Sequence, residues 1–552
     1  MSDFFKQHRE LLIPVLFLFF AAVFAAILPP APVWITDSGN KYMVMQNFVK
    51  HGSMEFRHPA PEFFHYCDFH FQRLSDGRIV SFFPPALPAL TAPLWQNAGD
   101  YAVCLIPLLS AVVILFALQK LLPERQYPPL MLITASPLLF YAVQLWEMLP
   151  AAAAVTLAAW GFREKKYFLA GIIFGCGVWM REELYLLGAA AGIAMLCHKK
   201  WRAMSSFAAG AAIPVLLLWA INHHCYGHIL GIHGQSNLQN NRPADAVWWH
   251  DVCFNYYQQL LRFDTAGKVS LWLFPAALGT AFAAGFAPSF VAWKPLKRFS
   301  MYLTGIAVIA AALSLLRSAD PLLISGQTAG LFISCPLAIP ALMNHRALCR
   351  SKSTGISLTA ITCTVFILAV PPFLNRHDIG LTWGSRHYIV IMPLLAILSF
   401  YSCKCSRWLK DERKYFLLTL LLGGAIMQIW AAAALYQVSH RTAELENSLR
   451  KSADKVIVTD LFFLPEMTPR LAGENLWLEI TGEKQTEKLL DIFARTGSES
   501  FTLIISESPN YRRLPQTALA RLLQVYPPAE PVKKYRITSG IGVFVVKCAK
   551  KP

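Results

Sequence analysis

The chain has 552 residues, of which 55% are hydrophobic and 15% are charged. Soluble chains carry roughly 25% charged residues, and here the apolar residues come in long blocks. The formal net charge of +17 would suit a nucleic-acid-binding protein, but the basic residues lie in short gaps between the apolar blocks. Such gaps are typical of the cytoplasmic loops of membrane proteins. The composition therefore predicts a polytopic α-helical membrane protein and excludes nucleic acid as a partner.

The first apolar block runs from Leu11 to Leu28 and is followed by Pro29 and Pro30. Its exit lacks a small-x-small cleavage site, so we interpret it as a retained membrane span and not as a signal peptide.

Seven short segments rich in Lys and Arg interrupt the apolar blocks. If all seven are cytoplasmic, the chain between two of them must cross the membrane outward and then back. This rule predicts about 13 transmembrane helices, a cytoplasmic N-terminus and a C-terminus outside. The predicted spans are 11–28, 101–119, 129–146, 148–162, 168–180, 184–197, 203–221, 268–291, 299–316, 322–343, 354–374, 388–402 and 414–434.

Two of the predicted hairpins, 129–162 and 168–197, have fewer than the usual ~20 residues for each crossing. A single crossing for each is the alternative, but it would place the basic gap at 163–166 outside, against the charge rule. Short helices are tolerated where they line a cavity, so these hairpins predict a cavity that opens to the outer side.

Three outer segments are long: 30–100, 222–267 and the tail from about 440. Within the tail, residues 456–459, 502–505 and 542–546 have the apolar composition of buried strands, and two amphipathic helices are predicted near 487–493 and 519–523. We therefore predict a transmembrane domain at 1–440, with 30–100 and 222–267 as its outer loops. A small extracytoplasmic α/β domain follows at 441–552.

Asp37 comes a few residues after the first span, where a membrane helix meets the predicted outer cavity. A carboxylate there can remove a proton from an acceptor hydroxyl. The alternative is an ordinary solvated carboxylate in a loop. We favour the functional interpretation.

Glu147 and the triplet Arg181, Glu182 and Glu183 lie at the turns of the two short hairpins. An ionisable group at membrane depth predicts a functional site. The alternatives are a Glu147 that reaches the headgroup region and a triplet that satisfies its own charges to hold the turn. Both roles are compatible for Arg181, because an arginine held by glutamate is oriented for a phosphate.

Trp383, Gly384 and Arg386 open a later span from the outer side. An arginine at a helix start, after a glycine that permits close approach, suits a lipid phosphate. The alternative is an interfacial arginine that reaches the lipid headgroups.

Histidines recur in the outer segments, among them His233, but no helical HxxxH or HExxH pattern supports zinc. No cofactor is firmly predicted, and a divalent cation held by Asp37 and Glu147 stays an alternative.

Taken in order, these residues resemble the GT-C superfamily of membrane glycosyltransferases, and within it the protein O-mannosyltransferases and lipid A aminoarabinose transferases. The resemblance rests on the acid at Asp37 followed by Tyr42, on Pro84-Pro85 before span two, and on Glu147. It also rests on Arg181-Glu182 and on the late motif that contains Gly384 and Arg386. Many relatives have Asp-Glu at the first site, whereas Ser38 follows Asp37 here. This departure weakens a metal role and leaves the role of a single base intact.

The resemblance implies inverting transfer of a sugar from a polyprenyl-phosphate donor to a hydroxyl of a glycan, lipid or protein on the outer side of a bacterial inner membrane. Asp37 and Glu147 would be catalytic, and Arg386 and Arg181 would bind the donor phosphate. The supporting residues would be Tyr42, Glu182, Glu183, Trp383, Gly384 and His233.

Two alternatives share much of this pattern. A lipid-linked sugar transporter or flippase predicts charges along a path through the bilayer and related halves, and no internal repeat is visible. A cell-surface glycan polymerase or ligase would use the same lipid chemistry.

Overall fold

A computed structural model of the chain is mostly helical. It describes residues 9–33, 36–60, 63, 70–122, 127–240, 246–262, 268–286, 294–317, 329–374, 383–405, 410–452, 454–508, 512–537 and 541–550. The first part of the predicted span at 322–343 lies outside the described residues.

Among the described residues, six helical stretches are long and apolar enough to cross a membrane. They are Ala86–Leu121, Trp201–Tyr226, Pro295–Leu316, Thr354–Phe373, Arg386–Lys404 and Lys414–Lys451. Five shorter apolar helices accompany them: Leu11–Ile27, Met148–Arg163, Tyr167–Val178, Leu184–Cys197 and Leu273–Phe286. These helices support the prediction of a polytopic membrane protein, while the count of 13 stays a prediction.

The helices up to the middle of the chain are α1 (Arg9–Ile27), α2 (Thr36–His51), α3 (Ala86–Ala98), α4 (Leu105–Leu121), α5 (Tyr127–Thr134), α6 (Leu138–Ala142), α7 (Met148–Arg163), α8 (Tyr167–Val178), α9 (Leu184–Cys197), α10 (Trp201–Tyr226), α11 (Gly231–Asn240), α12 (Ala246–Tyr256) and α13 (Lys268–Phe286). The later ones are α14 (Lys294–Arg317), α15 (Leu331–Ser334), α16 (Ala338–Met343), α17 (His345–Cys349), α18 (Thr354–Ala369), α19 (Met392–Cys405), α20 (Lys410–Ser452), α21 (Leu464–Met467), α22 (Pro469–Ala472), α23 (Glu483–Thr496) and α24 (Gln516–Val525). Short 3₁₀ segments lie at Gly99–Cys104, Pro371–Phe373 and Arg386–Ile391, and a π-helical turn lies at Tyr257–Leu261.

The strands are β1 (Phe71–Arg73), β2 (Ile79–Ser81), β3 (Val456–Thr459), β4 (Leu476–Glu479), β5 (Ser500–Ser506), β6 (Lys533–Arg536) and β7 (Gly542–Ala549).

The chain divides into two compact units. The first, here called the helical unit, comprises residues 1–26, 104–321 and 325–433; the second, the mixed unit, comprises 27–103, 322–324 and 434–552. The predicted boundary near residue 440 stays a prediction.

Glycines allow close helix packing in the helical unit. A Cβ atom at Gly171 of α8 would lie 2.1 Å from the carbonyl oxygen of Phe207, and one at Gly210 of α10 would lie 2.1 Å from that of Phe168. Only glycine fits these two positions, so the backbones of α8 and α10 approach as small-residue interfaces of membrane helices do.

A five-stranded sheet of order β4-β3-β5-β7-β6 forms the centre of the mixed unit. β3 pairs in parallel with β4 and β5, and β7 is antiparallel to β5 and β6. Alternate side chains enter two cores: Ile457 and Ile504 pack on the side of Met43 and Leu445, whereas Val458 packs with Leu489 and Phe493.

The three strands predicted in the tail are present as β3, β5 and β7, and the two predicted amphipathic helices are present as α23 and α24. The extracytoplasmic location of this part stays a prediction. Residues 30–100, predicted as an outer loop, also contain a hairpin that was not predicted, in which β1 and β2 pair antiparallel.

Candidate functional site

Asp37 lies in the first turn of α2, and only 3% of its surface is exposed. The first turn exposes unpaired backbone N–H groups and the positive end of the helix dipole, so an acid is favoured there. Burial distinguishes this carboxylate from the solvated loop acid that was the alternative interpretation.

His70 faces Asp37 within the mixed unit. Its Nε2 atom lies 3.8 Å from Oδ1 of Asp37, and its Nδ1 atom lies 2.8 Å from Oε2 of Glu466. Because a carboxylate only accepts, Nδ1–H donates to Glu466, and this bond directs Nε2 toward Asp37. The three residues, here called the Asp37 cluster, form a carboxylate–imidazole–carboxylate series.

Glu466 is positioned by a contact with Asn40 of α2, which β2 holds in turn. Its Oε1 atom accepts a hydrogen bond of 2.9 Å from Nδ2 of Asn40, whose Oδ1 atom accepts one of 2.6 Å from the Ser81 hydroxyl. A Cβ atom at Gly39 would lie 1.5 Å from the carbonyl oxygen of Glu466. Glycine at position 39 therefore allows the segment of Glu466 to lie directly against α2.

Lys41 is fully buried one turn after Asp37. Its Nζ atom donates to the backbone carbonyl of Asp37 at 3.2 Å and lies 3.9 Å from the centre of the Phe83 ring. A buried ammonium group is costly unless its charge is compensated. The Lys41 side chain therefore lies against the first turn of α2, beside Asp37.

Tyr42, a predicted supporting residue, bonds to a different carboxylate. Its hydroxyl donates to Oδ1 of Asp100 at 2.5 Å, and the indole N–H of Trp95 donates to the same atom at 2.7 Å. Burial, together with the charge of Asp100, raises the pKa of Tyr42, so the phenol stays protonated. This bond ties α2 to the end of α3.

In the helical unit, Arg181 is held between two glutamates. Its Nη1 atom donates to Oε1 of Glu147 at 2.8 Å, and its Nε atom donates to Oε2 of Glu183 at 2.9 Å. Glu183 also accepts a hydrogen bond of 2.5 Å from Nδ1 of His387. We call these four residues the Arg181 cluster. These contacts hold Arg181 within a buried group of ionisable side chains, and a role of Arg181 toward a phosphate stays a prediction.

The predicted motif at the start of the late span adopts a tight backbone. Gly384 has φ +80°, and a Cβ atom there would lie 2.5 Å from the Ser334 hydroxyl, so glycine is required. The indole of Trp383 is 1% exposed and donates to Gln428 at 3.1 Å. Arg386 follows, half-buried, as the first residue of the 3₁₀ segment.

Glu182 and His233, both predicted as supporting residues, contact each other. Nδ1 of His233 lies 2.9 Å from Oε2 of Glu182, and both side chains are partly exposed. This pair joins the start of α11 to the turn before α9. Glu182 therefore bonds to His233, which is not a member of the Arg181 cluster.

The sequence alone did not single out Glu466 or Lys41, and it suggested for His70 only metal binding, together with His51, His58 and His65. A signal for Lys41 was present, because a lysine four residues after Asp37 lies on the same face of a helix. No local signal identifies Glu466.

Within the described ranges, His, Cys, Asp and Glu side chains form no group of three or more suited to a metal ion. Asp37 and Glu147 belong to different units, and a cation shared by them stays a prediction.

The sequence matches no protein-family model and no curated protein. Among solved structures, the chain is similar to ArnT from Cupriavidus metallidurans bound to undecaprenyl phosphate, with 14% identity, a TM-score of 0.45, and coverage of 96% of this chain and 97% of that one. The apo state of the same protein gives 13% identity, a TM-score of 0.41 and the same coverage.

It is also similar to the Archaeoglobus fulgidus oligosaccharyltransferase tethered to an acceptor peptide with the NVT sequon, with 12% identity and a TM-score of 0.45. That match covers 100% of this chain and 75% of the other.

Proposed function

We propose that the protein is a membrane glycosyltransferase of GT-C type that moves a sugar from a polyprenyl-phosphate donor to a hydroxyl acceptor, with inversion at the anomeric carbon. The observation that carries this proposal is the Asp37 cluster. A buried carboxylate faces an imidazole that a second carboxylate orients, in a chain with several helices suited to a membrane. This combination suits proton removal from a hydroxyl beside a lipid-held substrate.

In the proposed reaction, the acceptor oxygen forms a bond to the anomeric carbon while the bond from that carbon to the phosphate oxygen breaks. The electron pair leaves with the lipid phosphate, and the acceptor proton passes to Asp37. Attack from the face opposite the phosphate gives inversion. His70, fixed by Glu466 through Nδ1–H, would donate from Nε2 to the acceptor or to Asp37 as the doubly protonated imidazolium.

The leaving phosphate needs cationic partners as the glycosidic bond breaks. Arg386 is the stronger candidate, because it is half-buried at the start of a short helical segment, and a guanidinium binds phosphate through two parallel N–H groups. Arg181 already serves Glu147 and Glu183, so its charge is largely balanced within the Arg181 cluster. We assign the phosphate first to Arg386 and give Arg181 a secondary role.

The proposed location is the inner membrane of a bacterium, with the N-terminus in the cytoplasm and residues 441–552 outside. The basic gaps between the apolar blocks support this orientation.

The test is donor binding measured beside product formation. Purified wild type and Asp37→Asn are compared in nanodiscs with a panel of polyprenyl-phosphate sugars and glycan, lipid and peptide acceptors. The change to asparagine keeps the shape and removes the proton acceptor. Donor should still bind, while sugar transfer should fall by the ~100- to 10,000-fold typical of a general base.

The matched control is Asp76→Asn, which alters an exposed aspartate of the same segment. It should transfer at the wild-type rate. Unchanged transfer by Asp37→Asn would remove Asp37 as the base. Movement of intact lipid-linked sugar across the membrane by the wild type, without a transfer product, would favour the transporter.

A further inference from the structure

A cavity lies in the mixed unit at the opposite end of α2 from Asp37. Its volume is about 210 Å³, and it is lined by the C-terminal half of α2, by residues 56–59 and by residues 472–477 except Glu474. Pockets for whole small molecules span roughly 300–1,000 Å³. This cavity therefore suits one polar group and its neighbouring atoms.

Lys50 and Arg57, both exposed, contribute positive charge to the wall, and His51 and His58 also line it. No carboxylate is among the lining residues in the described part of the chain. His58 is fixed in place: its Nε2 atom lies 3.0 Å from the carbonyl oxygen of Trp477, and its Nδ1 atom accepts from the Ala60 N–H at 3.1 Å. The wall therefore favours a negatively charged occupant.

Gln46 supplies a polar group inside the cavity. It lines the wall, only 6% of its surface is exposed, and it makes no hydrogen bond to any residue that the structure describes. Its amide group lines the cavity, where it can donate a hydrogen bond to an occupant. A Cβ atom at Gly473 would lie 2.0 Å from Oε1 of Gln46, and the glycine thus leaves room for the amide.

We propose that this cavity binds the oxyanion of a small polar ligand, a phosphate or a carboxylate. Lys50 and Arg57 attract the charge, and the Nε2 group of Gln46 donates a hydrogen bond to it. The site is separate from the proposed reaction, because Asp37 and Lys50 are 13 positions apart on α2, about 20 Å along its axis. The proposal does not depend on the glycosyltransferase assignment.

The test uses the full chain in nanodiscs of neutral lipid, at fixed ionic strength, and measures binding of inorganic phosphate, glucuronate and glucose by calorimetry. Phosphate and glucuronate should bind the wild type, and the neutral sugar should not. The double variant Lys50→Gln/Arg57→Gln and the single variant Gln46→Leu should each weaken anion binding on the order of tenfold or more.

The matched control is Lys484→Gln/Arg495→Gln, which removes two exposed positive charges of α23 and should bind anions as the wild type does. Absence of anion binding to the wild type would overturn the proposal. Equal losses in both double variants would overturn it as well, because they would indicate a general charge effect.

The source of the anion is distinguished by adding anionic lipid to the nanodiscs. If anionic lipid blocks phosphate binding in the wild type, and the residual phosphate binding of the Gln46→Leu variant is not affected by the lipid, the occupant is a lipid headgroup. If phosphate binds unchanged, the occupant is a soluble anion. Because transfer activity is not measured, failure of this site and failure of the proposed function are separate results.

Discussion

The Nδ1 atom of His70 lies 2.8 Å from Oε2 of Glu466, although 396 positions separate the two residues. His70 precedes the β1–β2 hairpin, and Glu466 lies in the short helix α21 after β3. The contact thus joins the first outer segment to the tail within the mixed unit. It also gives the tail a part in the proposed chemistry, because Glu466 fixes the imidazole that faces Asp37.

The first prediction concerns Glu466 as a positioning residue. Glu466→Gln removes the acceptor charge that holds His70, so turnover should fall roughly 10- to 100-fold, less than the full effect of losing a general base. The KM for the donor should stay unchanged, because no donor contact is lost. Steady-state kinetics separates the two constants.

Glu466→Asp keeps the charge and should restore part of the turnover. Glu474→Gln, a change at an exposed glutamate eight positions away, is the control and should leave turnover unchanged. A Glu466→Gln enzyme with wild-type kcat would show that the orientation of His70 does not matter.

The second prediction concerns Arg386. Arg386→Ala should weaken donor binding by roughly 10- to 100-fold with little change in thermal stability, because the group is proposed to contact a charged ligand. Arg386→Lys should restore only part of the donor affinity, since the ammonium group cannot make the two parallel hydrogen bonds of a planar guanidinium. The measurement is competition binding with polyprenyl phosphate, and Arg350→Ala, at an exposed arginine, is the control. Full donor affinity in Arg386→Ala would exclude the residue from the phosphate site.

The third prediction concerns the Arg181 cluster. Arg181→Gln leaves Glu147 and Glu183 buried without their shared cation, so the protein should lose about 3–5 kcal/mol of stability. Thermal unfolding in detergent measures the loss, and Arg202→Gln, at an exposed arginine, should unfold like the wild type. If Arg181→Gln instead keeps the wild-type unfolding temperature but fails to bind donor, Arg181 belongs to the phosphate site.

The fourth prediction concerns topology. Single cysteines introduced at Lys199 and Lys484, both exposed positions, should be labelled from opposite sides of the membrane. A membrane-impermeant maleimide applied to intact spheroplasts should label position 484 only, and position 199 should react after the membrane is opened. Labelling of both from one side would contradict the predicted orientation of residues 441–552.

Much of the helical pattern could be predicted because apolar blocks and basic gaps are local features. The predicted starts at Met148 and Leu184 coincide with the starts of α7 and α9. The predicted span at 129–146 is two helices, α5 and α6, because Pro137 interrupts the backbone hydrogen bonds between them.

Local apolar patterns predict the central strands of the sheet but not its edge strand β6. The buried strands β3 and β5 have continuous apolar runs, whereas β6 reads Lys533-Lys534-Tyr535-Arg536. β6 is an edge strand, and exposed edges carry charged residues that discourage pairing with other chains. The charged sequence of β6 therefore does not indicate a strand.

Of the three residues of the Asp37 cluster, the sequence predicted a role only for Asp37. The contact between His70 and Glu466 depends on how the tail packs against α2, and no spacing in the sequence encodes it. The glycine at position 39 is one local feature that reflects this packing, because a side chain there would collide with the Glu466 backbone.

The last prediction concerns Asp460, which follows β3 and is fully buried. Burial raises its pKa to about 6, although the backbone N–H of Ser506, 3.0 Å from Oδ1, acts in the opposite direction. The pKa of an unfolded aspartate is about 3.9, so the folded state holds the proton more tightly. The stabilisation is complete below about pH 4 and is lost as the pH rises through about 6.

Asp460→Asn keeps the acceptor for Ser506 and cannot ionise. Its melting temperature should therefore exceed that of the wild type by an amount that grows between about pH 4 and pH 7, since two pKa units correspond to about 3 kcal/mol. Thermal unfolding in detergent across this range measures the difference. Asp491→Asn, at an exposed position of α23, should follow the wild type at every pH. If the curves of Asp460→Asn and the wild type run parallel, Asp460 titrates alike in both states and burial does not raise its pKa.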